Sequence, residues 1–177
     1  MTPLARLQQW DVLILNRIFQ GVRRRQRLKQ IAAIISRTGD GPLYVVIAMA
    51  GWITQIPQAQ SFCLTLALAF AIERPLYFLI KKGFRRNRPE QIVPGIKGVV
   101  VPADPFSFPS GHTSAAFCFA TTAGILLVGS YNPFFFWAAS IGLSRIVLAV
   151  HFPGDVMAGA IIGSTIAMIS GILVSTF

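Results

Sequence analysis

The stretch Ser144-Arg145-Ile146-Val147-Leu148-Ala149-Val150-His151-Phe152-Pro153-Gly154-Asp155 decides the fold. It joins two apolar runs, about 132–150 and about 154–176. At 1.5 Å per residue each run is long enough to cross most or all of a bilayer core. Arg145, His151 and Asp155 therefore stand where one apolar segment gives way to the next. Arg145 follows one apolar run and precedes Ile146-Val147-Leu148, and an ionisable side chain in that position marks a functional site by default.

Working outward, further apolar runs cover about 42–57, about 59–82 with Glu73-Arg74-Pro75 inside it, and about 109–129, opening at Pro109-Ser110. A long polar stretch, 83–109, separates the last two. Residues 3–20 place Leu4, Leu7, Trp10, Leu13, Ile14 and Ile18 at roughly helical spacing, interrupted by Asp11, Asn16 and Arg17. This is too polar and too short for a span, so a helix lying in the membrane interface is expected. A cationic run, Arg23 to Lys29, follows, then a second short amphipathic helix over 28–37, ended by Gly39-Asp40-Gly41-Pro42. Met1 to Gln9 lacks the basic-then-apolar order of a cleavable leader. Hydrophobic residues make up 54 % of the chain and charged residues 12 %, with a mean hydropathy of +0.62. The expected architecture is an all-α polytopic transmembrane bundle of five or six spans with N-terminal interfacial helices. Residues 1–40 form a basic amphipathic segment and 41–177 the transmembrane domain. The net charge of +10 sits in membrane-flanking segments, which argues for a lipid surface and against nucleic acid. Cys63 and Cys118 lack any ligand spacing and read as buried thiols. Gly159, Gly163, Ala167 and Gly171 give the last helix a ladder of small side chains that permits close helix packing, inside the bundle in preference to a dimer seam.

Alternating spans return every polar motif to one membrane face. Lys81 ends one span and Arg88 follows it in the polar stretch, Pro109-Ser110-Gly111-His112 opens the next, and Arg145, His151 and Asp155 come back to the same side. His151 and Asp155 are four apart and can share a helix face, so the carboxylate can fix the ring tautomer and leave the other nitrogen free to attack, with a phosphohistidine as the expected intermediate. Ser110 and Gly111 begin a helix, whose unpaired N–H groups suit an oxyanion, and His112 can protonate a departing oxygen. Lys81, Arg88 and Arg145 supply fixed cations for the charge of a phosphoryl transition state. Two histidines, one carboxylate and several cations make a poor cation site, so no metal is expected. Lys82, Arg85 and Arg86 read as a basic membrane collar and Asp104 as a solvated loop residue. Glu73 reads as a brace for one of the cations or as a structural partner of Arg74.

On the patterns Lys81…Arg88-Pro89, Pro109-Ser110-Gly111-His112 and Ser144-Arg145…His151…Asp155, the chain resembles the type 2 phosphatidic acid phosphatase (PAP2) superfamily over about 40–177. That group includes membrane lipid phosphatases, glucose-6-phosphatase and vanadium haloperoxidases. The resemblance implies His151 as nucleophile, His112 as acid and Asp155 as its orienter. It implies Lys81, Arg88, Ser110, Gly111 and Arg145 as phosphate ligands, and no cofactor. Its implied substrates are lipid phosphates or diphosphates: undecaprenyl diphosphate, phosphatidylglycerol phosphate or phosphatidic acid. It also implies a multi-pass protein of the bacterial cell membrane. Many bacterial members carry a span before the interfacial helix, which is not read here. A vanadium-haloperoxidase-like enzyme and a non-catalytic scaffold or lipid transporter are the alternatives on the same fold. The resemblance implies a site facing the periplasm, but the Lys and Arg residues outside spans gather on one side, which by the positive-inside rule is the cytoplasm and carries the site.

Overall fold

The computed structural model describes residues 3–55, 58–102, 104–128 and 133–176, with side-chain detail from Arg6 onward. The start of the segment read for a leader, Ile56-Pro57 at the end of the first apolar run, and the 129–132 connection lie outside these in whole or in part. The described residues form α1 (Pro3–Val22), α2 (Gln26–Arg37), α3 (Gly41–Ile53), α4 (Ala59–Phe84), a short α5 (Pro89–Ile92), α6 (Gly111–Ala123) running on as a π turn (Gly124–Val128), α7 (Pro133–Val147) and α8 (Pro153–Ser175). Proline opens α3, α5 and α8 in the first turn, where its missing N–H is not needed.

All five expected apolar segments are helices, in the expected order. Two of them, α4 and α8, are long and apolar enough to cross a membrane. The first segment is shorter than expected: α3 passes the same test only together with α2, to which it joins at a 51° bend. The break falls at Gly39-Asp40. The helix formed by α6 and its π turn reaches Leu127, and α7 ends at Val147; both are apolar but short. At α7 the reason is local. Leu148, Ala149 and Val150 are apolar yet leave the helix, and they are buried against protein rather than lipid.

The bundle is built around α6. A side chain at Gly163 would put its Cβ 2.0 Å from the Ser114 carbonyl oxygen, and one at Gly159 would meet the Ser110 carbonyl oxygen at 2.5 Å. The small-residue ladder of α8 thus lies backbone to backbone against α6 inside the bundle, with Ala167 buried beside Ala69 and Cys118. On another side of α6, Phe119 is fully buried among Tyr44, Phe62, Phe134 and Trp137, tying α3, α4 and α7 to it through tilted and edge-to-face rings.

Helix α1 crosses the end of this bundle. Leu15 and Phe19 are buried with Ile96, Ala149 and Phe152, while Leu7, Trp10 and Ile14 form an exposed apolar ridge. In α2, Ala32 and Ser36 face inward, and Leu28, Ile31 and Ile34 face out among the cations. Both N-terminal helices therefore carry one apolar face against protein and a second one outward.

Candidate active site

At one end of the bundle the C-termini of α4 and α7 meet the N-termini of α6 and α8. Each motif is anchored by backbone geometry. Helix α7 ends in a turn in which Ala149 adopts a left-handed φ of 57°, and the Ala149 and Val150 N–H groups close onto the Ile146 and Arg145 carbonyls. A non-glycine residue there costs on the order of 1 kcal/mol. The turn redirects the chain so that His151 faces inward, 2 % exposed. Helix α8 then starts at Pro153. Asp155, in its first turn, reaches back to accept the Phe152 N–H on Oδ2 at 2.8 Å and so caps the start of the helix. The same Oδ2 lies 3.7 Å from His151 Nδ1, which has no hydrogen-bond partner of its own. The pair is aligned but open, and Nε2 is the nitrogen turned away from the carboxylate. Burial pushes the His151 imidazole down to about 4, and the Asp155 carboxylate offsets only part of this. Burial thus favours the neutral ring, the form with a free lone pair.

Ser110 is held to the same place. Its N–H donates to the Asp155 carbonyl at 3.0 Å, and its hydroxyl lies 2.9 Å from that of Thr113. Gly111 passes Tyr77 so closely that a Cβ would sit 2.9 Å from the ring, which is a reason for glycine there. Lys81 and Arg88 converge on one carboxylate: Lys81 Nζ and Arg88 Nη2 each lie 2.9 Å from Asp104 Oδ1. Arg88 also donates to the Asp104 carbonyl at 3.1 Å and to the Val150 carbonyl, beside His151, at 2.6 Å. Arg145 is buried, donates to Ser36 Oγ at 2.6 Å, and keeps its Nε–H without a partner. The structure thus gathers all eight residues singled out in the sequence at one end of the bundle.

Three groups at this end were misjudged from the sequence. Asp104, expected in solvent, bridges Lys81 and Arg88 and accepts the Tyr77 hydroxyl at 3.0 Å. Burial pushes its carboxyl up, but Lys81, Arg88 and Tyr77 together hold it below the usual carboxylate range. Asp104 occupies, as a carboxylate, the kind of cationic cradle that a phosphate oxygen would use. Arg86, assigned to the collar, donates to Asp155 Oδ1 at 2.6 Å. Asp40, read only as a helix break, places Oδ1 2.9 Å from His112 Nε2. Glu73 takes the structural option: it is fully buried, pairs with Arg74 and accepts the Ser114 hydroxyl.

A cavity of about 780 Å³ opens onto the site between α3, α4 and α6. Its polar end holds Asp40, Arg74, Asp104 and His112; Val45, Met49, Trp52, Leu66 and Phe70 line the rest.

The family described as the PAP2 superfamily matches residues 58–176. Decaprenylphosphoryl-5-phosphoribose phosphatase of Mycobacterium tuberculosis is 31 % identical over 129 residues, 71 % of this chain and 68 % of that protein. The crystal structure of Aquifex aeolicus LpxE superposes with a TM-score of 0.75 at 27 % identity, covering 93 % of each chain. That of a transmembrane PAP2-type phosphatidylglycerolphosphate phosphatase from Bacillus subtilis superposes at 0.77 over 97 % of this chain and 87 % of the other; its 24 % identity speaks for the fold alone. With its motifs intact and the matched region spanning α4 to α8, the chain belongs to the PAP2 superfamily and is a membrane phosphatase of that kind.

Proposed function

We propose that the chain hydrolyses the terminal phosphate of a lipid phosphate or diphosphate through a phosphohistidine at His151. The observation that carries the lipid half of this reading is the cavity: one end is charged, and the remainder is apolar and lies among the helices. A phosphorylated headgroup suits the end where Asp104 meets Lys81 and Arg88, and a hydrocarbon tail the apolar remainder. Polyprenyl phosphates such as undecaprenyl diphosphate rank with phosphatidylglycerol phosphate, ahead of phosphatidic acid. The named activity of the mycobacterial relative favours the polyprenyl class. Phosphate release from a panel of these lipids in mixed micelles tests the reading; release from none of them, with folded protein, refutes it.

In the proposed reaction Nε2 of neutral His151 attacks phosphorus in line, and the bond from phosphorus to the leaving oxygen breaks. Protonated His112 delivers its proton to that oxygen as it leaves. Asp155, beside Nδ1, stabilises the imidazolium of the phosphohistidine. Lys81, Arg88, Arg145, the Ser110 hydroxyl and the Gly111 N–H hold the equatorial oxygens. Asp104 gives up the cradle to them. Water then attacks phosphorus, giving its proton to His112, and the P–N bond breaks to return neutral His151. Asp40 keeps the His112 ring aimed throughout.

This donor set favours an oxyanion over a metal ion. Turnover is therefore expected to survive saturating EDTA unchanged and to fall with micromolar-to-millimolar vanadate, which adopts the pentacoordinate geometry of the transition state. Loss on EDTA with rescue by Mg²⁺ contradicts the assignment.

The outward apolar ridges of α1 and α2, with Arg23 to Lys29 between them, support a role for residues 1–40 as a segment lying in the headgroup layer. The 55–60 and 129–132 connections carry no Lys or Arg, which supports a cytoplasmic site and N-terminus in the bacterial cell membrane. In a background lacking Cys63 and Cys118, an impermeant thiol reagent on intact cells should label Asn132→Cys and spare Gly98→Cys. The reverse pattern overturns this orientation.

A further inference from the structure

Asp155 accepts more than one donor. Its Oδ2 takes the Phe152 N–H, and its Oδ1 takes Arg86 Nη1 at 2.6 Å. The second arm of the same guanidinium, Nη2, donates to Asp11 Oδ2 at 2.6 Å and to Gln8 Oε1 at 3.0 Å. Asp11 and Gln8 belong to α1. The other oxygen of Asp11, Oδ1, accepts the Gly154 N–H at 2.8 Å, in the first turn of α8. A Cβ at Gly154 would stand 2.7 Å from Asp11 Oδ2, so α8 receives this carboxylate at close range. The guanidinium also stacks 4.3 Å over the Phe152 ring. Arg86 itself is pinned, its carbonyl accepting the Ser107 N–H at 2.8 Å. Both new partners are largely shielded from solvent, Arg86 at 18 % and Asp11 at 13 % side-chain exposure.

We infer that Arg86 and Asp11 are positioning residues for the nucleophile, and that α1 thereby completes the active site by holding Asp155 against His151. The inference rests on the reading of His151 as nucleophile given above. Two carboxylates share one guanidinium, so the group keeps a net negative charge toward His151. Arg86 fixes the direction of the Asp155 carboxylate. Asp11 offsets the charge of Arg86, which would otherwise weaken the hold of Asp155 on the imidazolium. A forked donor is required because one cation must reach two carboxylates at once, which a lysine ammonium on a flexible stem does not reproduce.

Removing either residue should slow phosphorylation of His151 without weakening lipid binding. In the full-length protein, Arg86→Gln and Asp11→Asn are expected to lower kcat about tenfold or more, the scale of a lost charge-assisted hydrogen bond, with KM within about twofold of wild type. Arg86→Lys should recover only part of the loss. The double variant should be little worse than either single one, because both act through Asp155. The decisive comparison is made in an Asp155→Ala background. There Arg86→Gln and Asp11→Asn should cost nothing further, whereas a role in holding the fold together would lower kcat there too. Unfolding temperature in detergent is measured alongside for every variant. If His151→Ala itself turns over, the nucleophile assignment falls. If His151→Ala is inactive while Arg86→Gln and Asp11→Asn keep kcat within twofold, that assignment stands and this inference is overturned. It is overturned equally if the two substitutions remain costly without Asp155.

Discussion

Purified His151→Ala, folded and monodisperse in detergent, should release no measurable phosphate from any lipid that the wild-type protein hydrolyses. His112→Ala and Asp155→Ala should each retain a trace. Loss of a general acid lowers the rate by about 10²–10⁴-fold. In the proposed mechanism Asp155 fixes the ring and stabilises the imidazolium, so its removal should fall in a similar range. The asymmetry among the three is the informative part. In the proposed mechanism the covalent route needs the His151 nitrogen, while water can replace a missing proton donor poorly but measurably. Near-normal turnover by His151→Ala contradicts the mechanism outright.

The other large effect is far from the chemistry. Gly163→Ala should unfold or collapse the bundle, because its Cβ would lie 2.0 Å from the Ser114 carbonyl oxygen and 3.0 Å from the Cys118 nitrogen. Both are backbone atoms of α6 and cannot rotate away, so the two helices must separate. Overpacking of this kind costs about 3 kcal/mol or more. Helix α6 carries Ser110, Gly111 and His112 at its start, so activity should fall together with stability. Gly171→Ala on the same ladder is the control. Its nearest neighbour is the Ile125 side chain at 3.6 Å, ordinary van der Waals contact, and alanine is the better helix former by up to about 1 kcal/mol. Thermal unfolding in detergent should show a large drop for Gly163→Ala and a neutral or slightly raised midpoint for Gly171→Ala. Equal behaviour of the two would mean that α6 and α8 do not pack as described.

The residues whose spacing is dictated by chemistry were legible in the sequence. His151 and Asp155 must stand close on one helix face, and Ser110-Gly111-His112 must open a helix. Both requirements are local; the helix at Ser110-Gly111-His112 forms as expected, whereas His151 meets Asp155 from the turn before α8 and not from a shared helix face. The ladder of α8 was legible for a similar reason, since a four-residue period of small side chains permits close helix packing, and the structure places α6 against it. The partners of the site residues were not. Arg86 meets Asp155 and Asp11 across 69 and 75 residues of chain, and Asp40 meets His112 across 72. Nothing local distinguishes Arg86 from its neighbours Arg85 and Lys82, and only the tertiary fold selects which cation of the run turns inward. Asp104 was misjudged because a carboxylate in a polar loop is usually solvated, whereas here two buried cations claim it. Span lengths were overestimated where apolar residues cover protein instead of lipid. Leu148, Ala149 and Val150 read as membrane but form the turn that delivers His151.

The stereochemical course at phosphorus tests the covalent route most directly. A lipid substrate carrying a chiral, isotopically labelled thiophosphoryl group would be hydrolysed in labelled water and the configuration of the released thiophosphate determined. Each in-line displacement inverts phosphorus. Attack by His151 followed by attack by water is two such steps, so the account predicts overall retention. Inversion would mean that water displaces the lipid in a single step, and that His151 is not the nucleophile.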